Sequence, residues 1–171
     1  MPIQICSVTA LTVQQIAELS QVLIACVEAG ASVSFMLPLN EAKAATYWRE
    51  VNSSLQHGER LVFIAETDSG EIVGSVQIVL TQPENQPHRA DLSKMLVHPK
   101  ARRQGIAAAL LTAAEVGAQA QGKSLLVLDT ANSEAGRVYE RGGWQQCGVI
   151  PDYALWPAGG LCATTFFYKK L

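Results

Sequence analysis

The segment MLVHPKARRQGIAAALL, residues 95–111, decides the fold. Its apolar start indicates the end of a strand, Pro99 makes a turn, and the alanine- and leucine-rich end indicates a helix. In this order, the free N–H groups and the positive dipole end of the helix face outward beyond the loop. Gly105 allows close backbone approach, and Arg102 and Arg103 add positive charge. We expect an anion-binding loop; the alternative is a solvated basic turn that caps the helix.

A second glycine-rich segment, GAQAQGKS at residues 117–124, fits the phosphate-loop pattern G-x-x-x-x-G-K-[ST]. A phosphate loop needs a strand before its glycines and a helix after them. Here a helical pattern comes first and the strand pattern SLLVLDT follows, which is the reverse order. We therefore expect Gly122 to end a helix, with Lys123 near the negative end of that helix.

Hydrophobic spacing elsewhere predicts alternating strands and helices. Residues 3–8 indicate a strand, residues 11–30 indicate a helix, and Asn40 is the expected N-cap of a second helix. A strand hairpin follows, and the segments WQQCGVI and LCATTFFYKKL are the expected closing strands. The order β-α-α-β-β-β-α-β-α-β-β predicts an α/β (α+β) fold, with a mixed central sheet and helices on its faces.

The composition limits the classes of function. The chain has 171 residues, 49% of them hydrophobic, and a formal net charge of -2, so we expect residues 1–171 to form one domain. It lacks a basic cluster, which argues against nucleic acid and anionic membranes as partners and favours a small-molecule or protein substrate. The scattered cysteines have no metal-ligand spacing, so we expect buried reduced thiols and no metal. The start lacks a leader pattern, which predicts a cytoplasmic protein.

Two linked motifs resemble those of the GNAT superfamily of acyl-CoA-dependent N-acetyltransferases. RRQGIA fits the pattern [QR]-x-x-G-x-[GA], with V-x-P before it, and NSEAGRVYERGGW resembles the segment N…A…Y-E-x-x-G-F. The resemblance covers essentially the whole chain and implies the GNAT fold, with about seven strands and four helices, and acetyl-CoA as the acyl donor. It departs from the usual pattern at Arg103, where many relatives carry glycine.

The resemblance also implies a set of residues that contact acetyl-CoA. A splayed strand would pair with the pantetheine arm, the loop and first helical turn would hold the pyrophosphate, and the next helix would contact the arm. Asn132 has a second interpretation as a helix N-cap. These residues are Met95, Leu96 and Val97; Arg102, Arg103, Gln104, Gly105, Ile106 and Ala107; and Asn132, Ala135 and Tyr139.

Three residues are candidates for proton transfer. Tyr139 has a phenol with an ordinary pKa near ~10, suited to donating a proton to the departing thiolate or hydrogen-bonding it; the alternative is a core tyrosine. An attacking amine must lose a proton, and Asp91 and Asp129 are the candidate bases, directly or through water. The resemblance favours both, whereas a carboxylate at a strand end is commonly only solvated. Glu66 is a weaker third candidate.

Acceptor contacts must come from outside the donor-binding unit. The candidates are Val33, Phe35, Trp48, Asp152 and Tyr153. A core position is the favoured alternative for Trp48, and a turn position after Pro151 is the alternative for Asp152. The segments GASVSFM, HRADLSKMLV and LLVLDT resemble the tabtoxin-resistance branch of the superfamily. This implies transfer of an acetyl group to the primary amine of a small amino-acid-like or antimetabolite substrate. A non-catalytic acyl-CoA-binding protein and a protein or peptide N-acetyltransferase are the alternatives. The terminal strand is either internal or part of a homodimer interface.

Overall fold

The computed structural model describes residues 2–171, which form a seven-stranded sheet flanked by helices. The strands are β1 (Ile3–Val8), β2 (Arg60–Thr67), β3 (Ile72–Val79), β4 (Arg89–Val97), β5 (Leu125–Thr130), β6 (Gln145–Leu155) and β7 (Leu161–Lys170). The helices are α1 (Val13–Glu28), α2 (Glu41–Gln56), α3 (Ile106–Ala120) and α4 (Ser133–Arg141), with a short 3-10 turn at Pro99–Ala101. The predicted order of elements is confirmed.

The strands lie in the order β1-β2-β3-β4-β5-β7-β6. β4 and β5 are parallel, and every other neighbouring pair is antiparallel, so the sheet is mixed as predicted. The terminal strand β7 lies inside the sheet, between β5 and β6. An internal position was one of the two alternatives for β7. The edge strand on this side of the sheet is β6.

Each face of the sheet carries its own apolar core. On one face α1 and α2 enclose a cluster that includes Leu19, Leu23 and Trp48, all fully buried. On the other face α3 packs Leu110 against the sheet beside Leu126, with Tyr139 of α4 in the same cluster. Burial of such side chains contributes about 1.5–3 kcal/mol each, so the two layers fix the sheet on which the site is built.

The two parallel strands separate soon after they meet. β4 pairs with β5 only from Arg89 to Asp91, where Asp91 lies opposite Val127. Beyond this point the two strands do not pair with each other, and the Val97 carbonyl at the end of β4 accepts from the side chains of Cys26 and Arg102 instead. β4 also contains a bulge on its other side, where Lys94 and Met95 lie between the pairs that β4 makes with β3. The centre of the sheet is therefore split.

The segment that matches the phosphate-loop pattern is the end of α3. Gly117 lies within this helix, and a Cβ there would come within 2.4 Å of Phe63 Cζ, so the glycine is needed for packing. Gly122 follows the helix with a left-handed φ of 76°. Lys123 Nζ donates to two backbone carbonyl oxygens rather than facing open solvent. The expectation that this segment ends a helix is confirmed.

Two local expectations were wrong. β6 extends to Leu155 instead of ending before Pro151, because a bulge at the sheet edge absorbs Pro151 and gives Asp152 a φ of 54°. Cys147 is exposed on β6, although all four cysteines were expected to be buried. The four thiols are free. No helix within residues 2–171 combines the length and the apolarity needed to cross a bilayer.

Candidate active site

Two cavities meet where the sheet is split. The smaller, about 190 Å³, lies between the splayed ends of β4 and β5, and we call it the donor cleft. The larger, about 400 Å³, lies beside it, under the loop between α1 and α2 and against β6 and β7; we call it the acceptor cavity. The residues that line both are Ser32, Ser34, Asp129 and Thr130. The two cavities therefore share a wall.

The donor cleft contains four of the residues that the sequence resemblance implied for acetyl-CoA. These are Met95 of β4 and Asn132, Ala135 and Tyr139 at and within α4. Asn132 is also the N-cap of α4, since its side-chain oxygen accepts from the backbone N–H groups of Glu134 at 2.7 Å and Ala135 at 3.3 Å. Asn132 therefore lines the donor cleft and caps α4 at the same time, so its two interpretations are compatible.

The loop before α3 has the backbone shape of an anion cradle. Arg103 and Gly105 both have left-handed conformations, with φ of 62° and 78°. Gly105 is the N-cap of α3, and no side chain caps the helix. Arg102 Nε donates to the backbone oxygen of Val97 at 3.4 Å, which ties the loop to the end of β4. Arg103 thus takes the conformation that glycine would take more cheaply, and the departure from the family pattern leaves the loop intact.

The remaining residues implied for the donor lie around this loop. Gln104 and Ala107 lie beside Gly105 at the start of α3, whereas Ile106 is buried in the α3 core. Leu96 faces the opposite core and is 1% exposed, and Val97 is partly buried. The side chains of Ile106 and Leu96 therefore pack in the two cores. Only the backbone groups of these residues are available to a ligand.

Tyr139 is a core residue and a cavity residue at once. It is 4% exposed, its ring packs against Trp144 and Phe167 with centroids 5.8 Å away in each case, and it lines the donor cleft. No hydrogen bond within residues 2–171 contributes to the environment of its hydroxyl. Burial, with a smaller contribution from the charge of Asp129, raises the pKa of Tyr139 above its ordinary range. The phenol keeps its proton at neutral pH.

Asp129 lies on the wall shared by the two cavities. Its carboxylate accepts a hydrogen bond of 2.7 Å from Thr164 Oγ1 on the neighbouring strand β7. The residue is exposed to the cavity and forms no ion pair in the described chain. A carboxylate held on one side and open on the other is arranged to accept a proton.

Asp91 is engaged elsewhere. Its carboxylate forms an ion pair with Arg89 and accepts a hydrogen bond of 3.0 Å from Gln82 Nε2. It lines neither cavity, because the strands have not yet separated at this point. Glu66, on β2, also lies outside both cavities, beside Cys6 Sγ at 3.8 Å. Of the two aspartates that were expected to line one channel, Asp129 lines both cavities and Asp91 lines neither.

Of the residues predicted to contact the acceptor, three line a cavity and two do not. Phe35 and Tyr153 line the acceptor cavity, and Val33 lines the donor cleft. Trp48 is 0% exposed in the α1–α2 core, so its alternative as a core aromatic is the one observed. Asp152 lies exposed in the β6 bulge and lines neither cavity, because the bulge turns it away from the pocket.

Sequence reasoning missed several polar cavity residues, among them Lys94, Ser34 and Thr164. Lys94 lines the donor cleft from the β4 bulge, and its Nζ donates to Ser34 Oγ at 3.1 Å. Thr164 lines the acceptor cavity and holds Asp129. Nothing in the pattern around these residues signals their role, since it depends on strand register and on which loop lies above the sheet.

Comparison with known proteins agrees with this geometry. Residues 58–146, about half of the chain, match the family described as an acetyltransferase (GNAT) domain. The chain belongs to this family. The matched region contains the donor cleft strands, the α3 loop and Tyr139, whereas Thr164 and the loop between α1 and α2 lie outside it.

One curated relative is an uncharacterized N-acetyltransferase from the hisH-hisA intergenic region of Azospirillum brasilense. It is 34% identical over 110 residues, which cover 63% of this chain and 63% of the relative. The match therefore spans just under two thirds of that protein.

Solved structures share the fold across nearly the whole chain. YncA of Salmonella typhimurium, solved with its cofactor acetyl-CoA, has a TM-score of 0.80 at 16% identity, covering 100% of this chain and 95% of that one. A Sinorhizobium meliloti phosphinothricin acetyltransferase in complex with AcCoA has a TM-score of 0.81 at 17% identity, covering 100% and 89%. A ribosomal-protein-alanine N-acetyltransferase of Brucella melitensis has a TM-score of 0.79 at 20% identity, covering 100% of both. At these identities the likeness shows the fold alone.

Proposed function

We propose that this protein is an acetyl-CoA-dependent N-acetyltransferase that acetylates the primary amine of a small, amino-acid-like molecule. The observation that carries the proposal is the shared wall of the two cavities at Asp129. A direct transfer needs donor and acceptor side by side, in contact with a group that removes the amine proton. The donor cleft and the acceptor cavity meet at such a group.

The residues around the donor cleft fit acetyl-CoA. The uncapped start of α3, with Gly105 and Arg103 in left-handed conformations, offers backbone N–H groups and positive dipole charge to a diphosphate. The unpaired edges of β4 and β5 offer backbone groups to an amide-containing arm. Bound there, acetyl-CoA supplies the acetyl group as an activated thioester.

Asp129 is the proposed base. An α-amino group has a pKa near ~8 and a lysine amine near ~10.4, so an amine acceptor arrives mostly protonated at neutral pH. The carboxylate accepts this proton directly or through one water and passes it to solvent, and the second amine proton, which is lost as the amide forms, leaves by the same route. Thr164 Oγ1 holds the carboxylate in place. Asp91 is the less favoured candidate because Arg89 and Gln82 already occupy its oxygens.

Tyr139 is the proposed hydrogen-bond donor to the departing sulfur. Its phenol is protonated, faces the donor cleft and has no partner in the described chain. A thiol has a pKa of about 8.5, so a thiolate is a weaker base than the phenolate of tyrosine. Full proton transfer from Tyr139 to the thiolate is therefore energetically unfavourable. The proton therefore stays on Tyr139 Oη, which stabilises the thiolate by a charge-assisted hydrogen bond.

A small acceptor is favoured over a protein. The acceptor cavity has a volume of about 400 Å³, lined partly by Phe35 and Tyr153, which is suited to a compact molecule. The three segments that resemble the tabtoxin-resistance branch form much of the two cavity walls, which supports an amino-acid antimetabolite as the substrate class. We place this activity in the cytoplasm. A protein acceptor and a non-catalytic acyl-CoA sensor are the competing functions.

We also propose a homodimer through the edge strand β6. Its exposed apolar side chains include Val149 at 56%, Ile150 at 44% and Leu155 at 46% exposure. An unpaired edge with exposed apolar residues favours association with a second copy. Light scattering on the wild type and on Ile150→Lys tests it: a dimer that the variant converts to a monomer supports the proposal, and a monomeric wild type refutes it.

The activity is tested by measuring coenzyme A release from acetyl-CoA against a panel of amino acids, small amines and peptides. Turnover on small amines supports the proposal. Turnover confined to peptides selects the protein acetyltransferase. Binding of acetyl-CoA with no turnover on any acceptor selects the sensor, and absence of acetyl-CoA binding rejects the assignment of the α3 loop.

A further inference from the structure

Lys94 has an unusual place in the sheet. It lies in the bulge of β4 with a left-handed φ of 51°, a conformation that costs a non-glycine residue about 1–2 kcal/mol. The bulge brings its side chain to the loop between α1 and α2, where Nζ donates to Ser34 Oγ at 3.1 Å. A strained backbone at a cavity wall is a feature of functional sites.

The ammonium of Lys94 has no carboxylate partner. The ion pairs of residues 2–171 are Arg89–Asp91, Lys100–Glu71 and Lys169–Glu115. Asp129 lines the same donor cleft as Lys94 but is held by Thr164 instead. Lys94 and Asp129 thus line the same cleft without forming an ion pair with each other.

The surroundings of Lys94 favour an added anion. Burial lowers the pKa of Lys94, the positive charge of Arg60 lowers it further, and Asp129 opposes both. Arg60 itself bonds to the neutral side chains of Gln77 and Ser54 and has no carboxylate partner. Lys94 and Arg60 therefore lie close enough for their charges to repel, neither has an ion-pair partner, and a ligand carboxylate beside Lys94 would offset this repulsion.

We propose that Lys94 and Ser34 form the subsite for the carboxylate of the acceptor, which is therefore a free amino acid that presents its amine to Asp129. This inference rests on the proposed acetyltransferase function. Lys94 lines only the donor cleft, but Ser34, the residue to which its Nζ donates, lines both cavities, as does Asp129. A short zwitterion in the acceptor cavity can therefore place its amine at Asp129 and its carboxylate at Ser34, beside the ammonium of Lys94. A protein N-terminus carries an amide where this carboxylate would be, so the subsite selects against proteins and peptides.

The test compares each of a set of amino acids with its carboxamide, and with a dipeptide that has the same N-terminal residue. The wild type is expected to prefer the acid by about 10- to 100-fold in kcat/KM, the effect of one charge-assisted hydrogen bond. Lys94→Met is expected to reduce this ratio to near one, and Lys94→Arg to restore part of it. Lys43→Met, which removes an exposed lysine on α2, should keep the wild-type ratio.

Two results overturn the subsite. One is a wild type that uses acid and carboxamide equally well. The other is a Lys94→Met variant that loses activity on both acceptors by the same factor, because this outcome assigns Lys94 to proton transfer or to folding instead of carboxylate binding.

Calorimetric titration of amino acids and carboxamides, with and without coenzyme A, tests the subsite independently of turnover. Acids that bind the wild type and not Lys94→Met support it, and acids that bind neither protein overturn it. Failure of the protein to bind acetyl-CoA is a separate result, which rejects the proposed function instead.

Discussion

Thr164 Oγ1 donates a hydrogen bond of 2.7 Å to Asp129 across the β5–β7 pair, and this bond fixes one carboxylate oxygen at the shared wall of the two cavities. Replacing Asp129 with Asn should lower kcat/KM by about 10²- to 10⁴-fold, the usual contribution of a general base. An Asp129→Asn enzyme with near wild-type kcat/KM would exclude Asp129 as the base.

Thr164→Val should have a smaller effect than Asp129→Asn. It removes a hydrogen bond to a charged group, which contributes about 1.5–3 kcal/mol, and leaves the carboxylate present. Thr164→Ser keeps the hydroxyl and is the matched control. Steady-state kinetics on the three proteins should give wild type, Ser and Val in descending order of kcat. Equal rates for Ser and Val would show that the bond has no catalytic role.

Tyr139→Phe should lower kcat without destabilising the protein. The ring contacts with Trp144 and Phe167 are preserved, and no hydrogen bond of the described chain is lost with the hydroxyl. A loss of about 10²-fold in kcat is expected for a hydrogen-bond donor that stabilises charge on the leaving atom, with an unchanged KM for acetyl-CoA. Thermal unfolding of the wild type and the variant tests whether stability is unchanged. An unchanged kcat would leave Tyr139 as a core residue only.

Gly105→Ala should weaken acetyl-CoA binding, whereas Gly122→Ala should not. Both glycines have nearly the same left-handed φ, 78° and 76°, and a Cβ at either position meets nothing within 4 Å. The backbone strain is therefore matched at about 1–2 kcal/mol, and similar losses of Tm are expected. Only Gly105 lies at the start of α3, so only its variant should raise the Kd for acetyl-CoA, by about tenfold. Equal Kd values for the two variants would contradict the loop assignment.

Gly117→Ala should destabilise the protein although alanine favours helices. The new methyl would lie 2.4 Å from Phe63 Cζ, and overpacking of this kind costs about 1–3 kcal/mol. Gly136→Ala is the control, because its Cβ would meet Phe167 at an ordinary 3.5 Å and the helix should gain about 0.5–1 kcal/mol. Chemical denaturation measures both. Combination with Phe63→Leu should rescue Gly117→Ala, and failure to rescue would refute the packing explanation.

Lys94→Met should raise the Tm at neutral pH. The pKa of Lys94 is lowered in the folded protein from an ordinary value of 10.5, so its charged form is less favourable in the folded than in the unfolded chain. Between the lowered pKa and 10.5 the unfolded chain binds more protons, so this group's contribution to stability rises with pH. The advantage of methionine should therefore shrink as pH approaches 10.5. A pH-independent gain would indicate hydrophobic burial alone.

The fold was predictable because its signals are local. Hydrophobic periodicity indicates each strand and helix, and the residues around Gly105 indicate where α3 begins. The site was only partly predictable, since its remaining features depend on register. The β4 bulge places Lys94 at the donor cleft, and Thr164 contacts Asp129 only because β5 pairs with β7. Asp91 forms an ion pair with Arg89 in the part of β4 that is still paired with β5.

The most direct test of the central claim is a crystal structure of the protein with coenzyme A and an amine acceptor that it acetylates. The account predicts the pantetheine arm between β4 and β5, and the sulfur within about 3.5–4 Å of Tyr139 Oη, the limit of a hydrogen bond to sulfur. The amine should lie in the acceptor cavity, within one water of Asp129. Coenzyme A bound away from the split sheet, or an amine on the far side from Asp129, would contradict it.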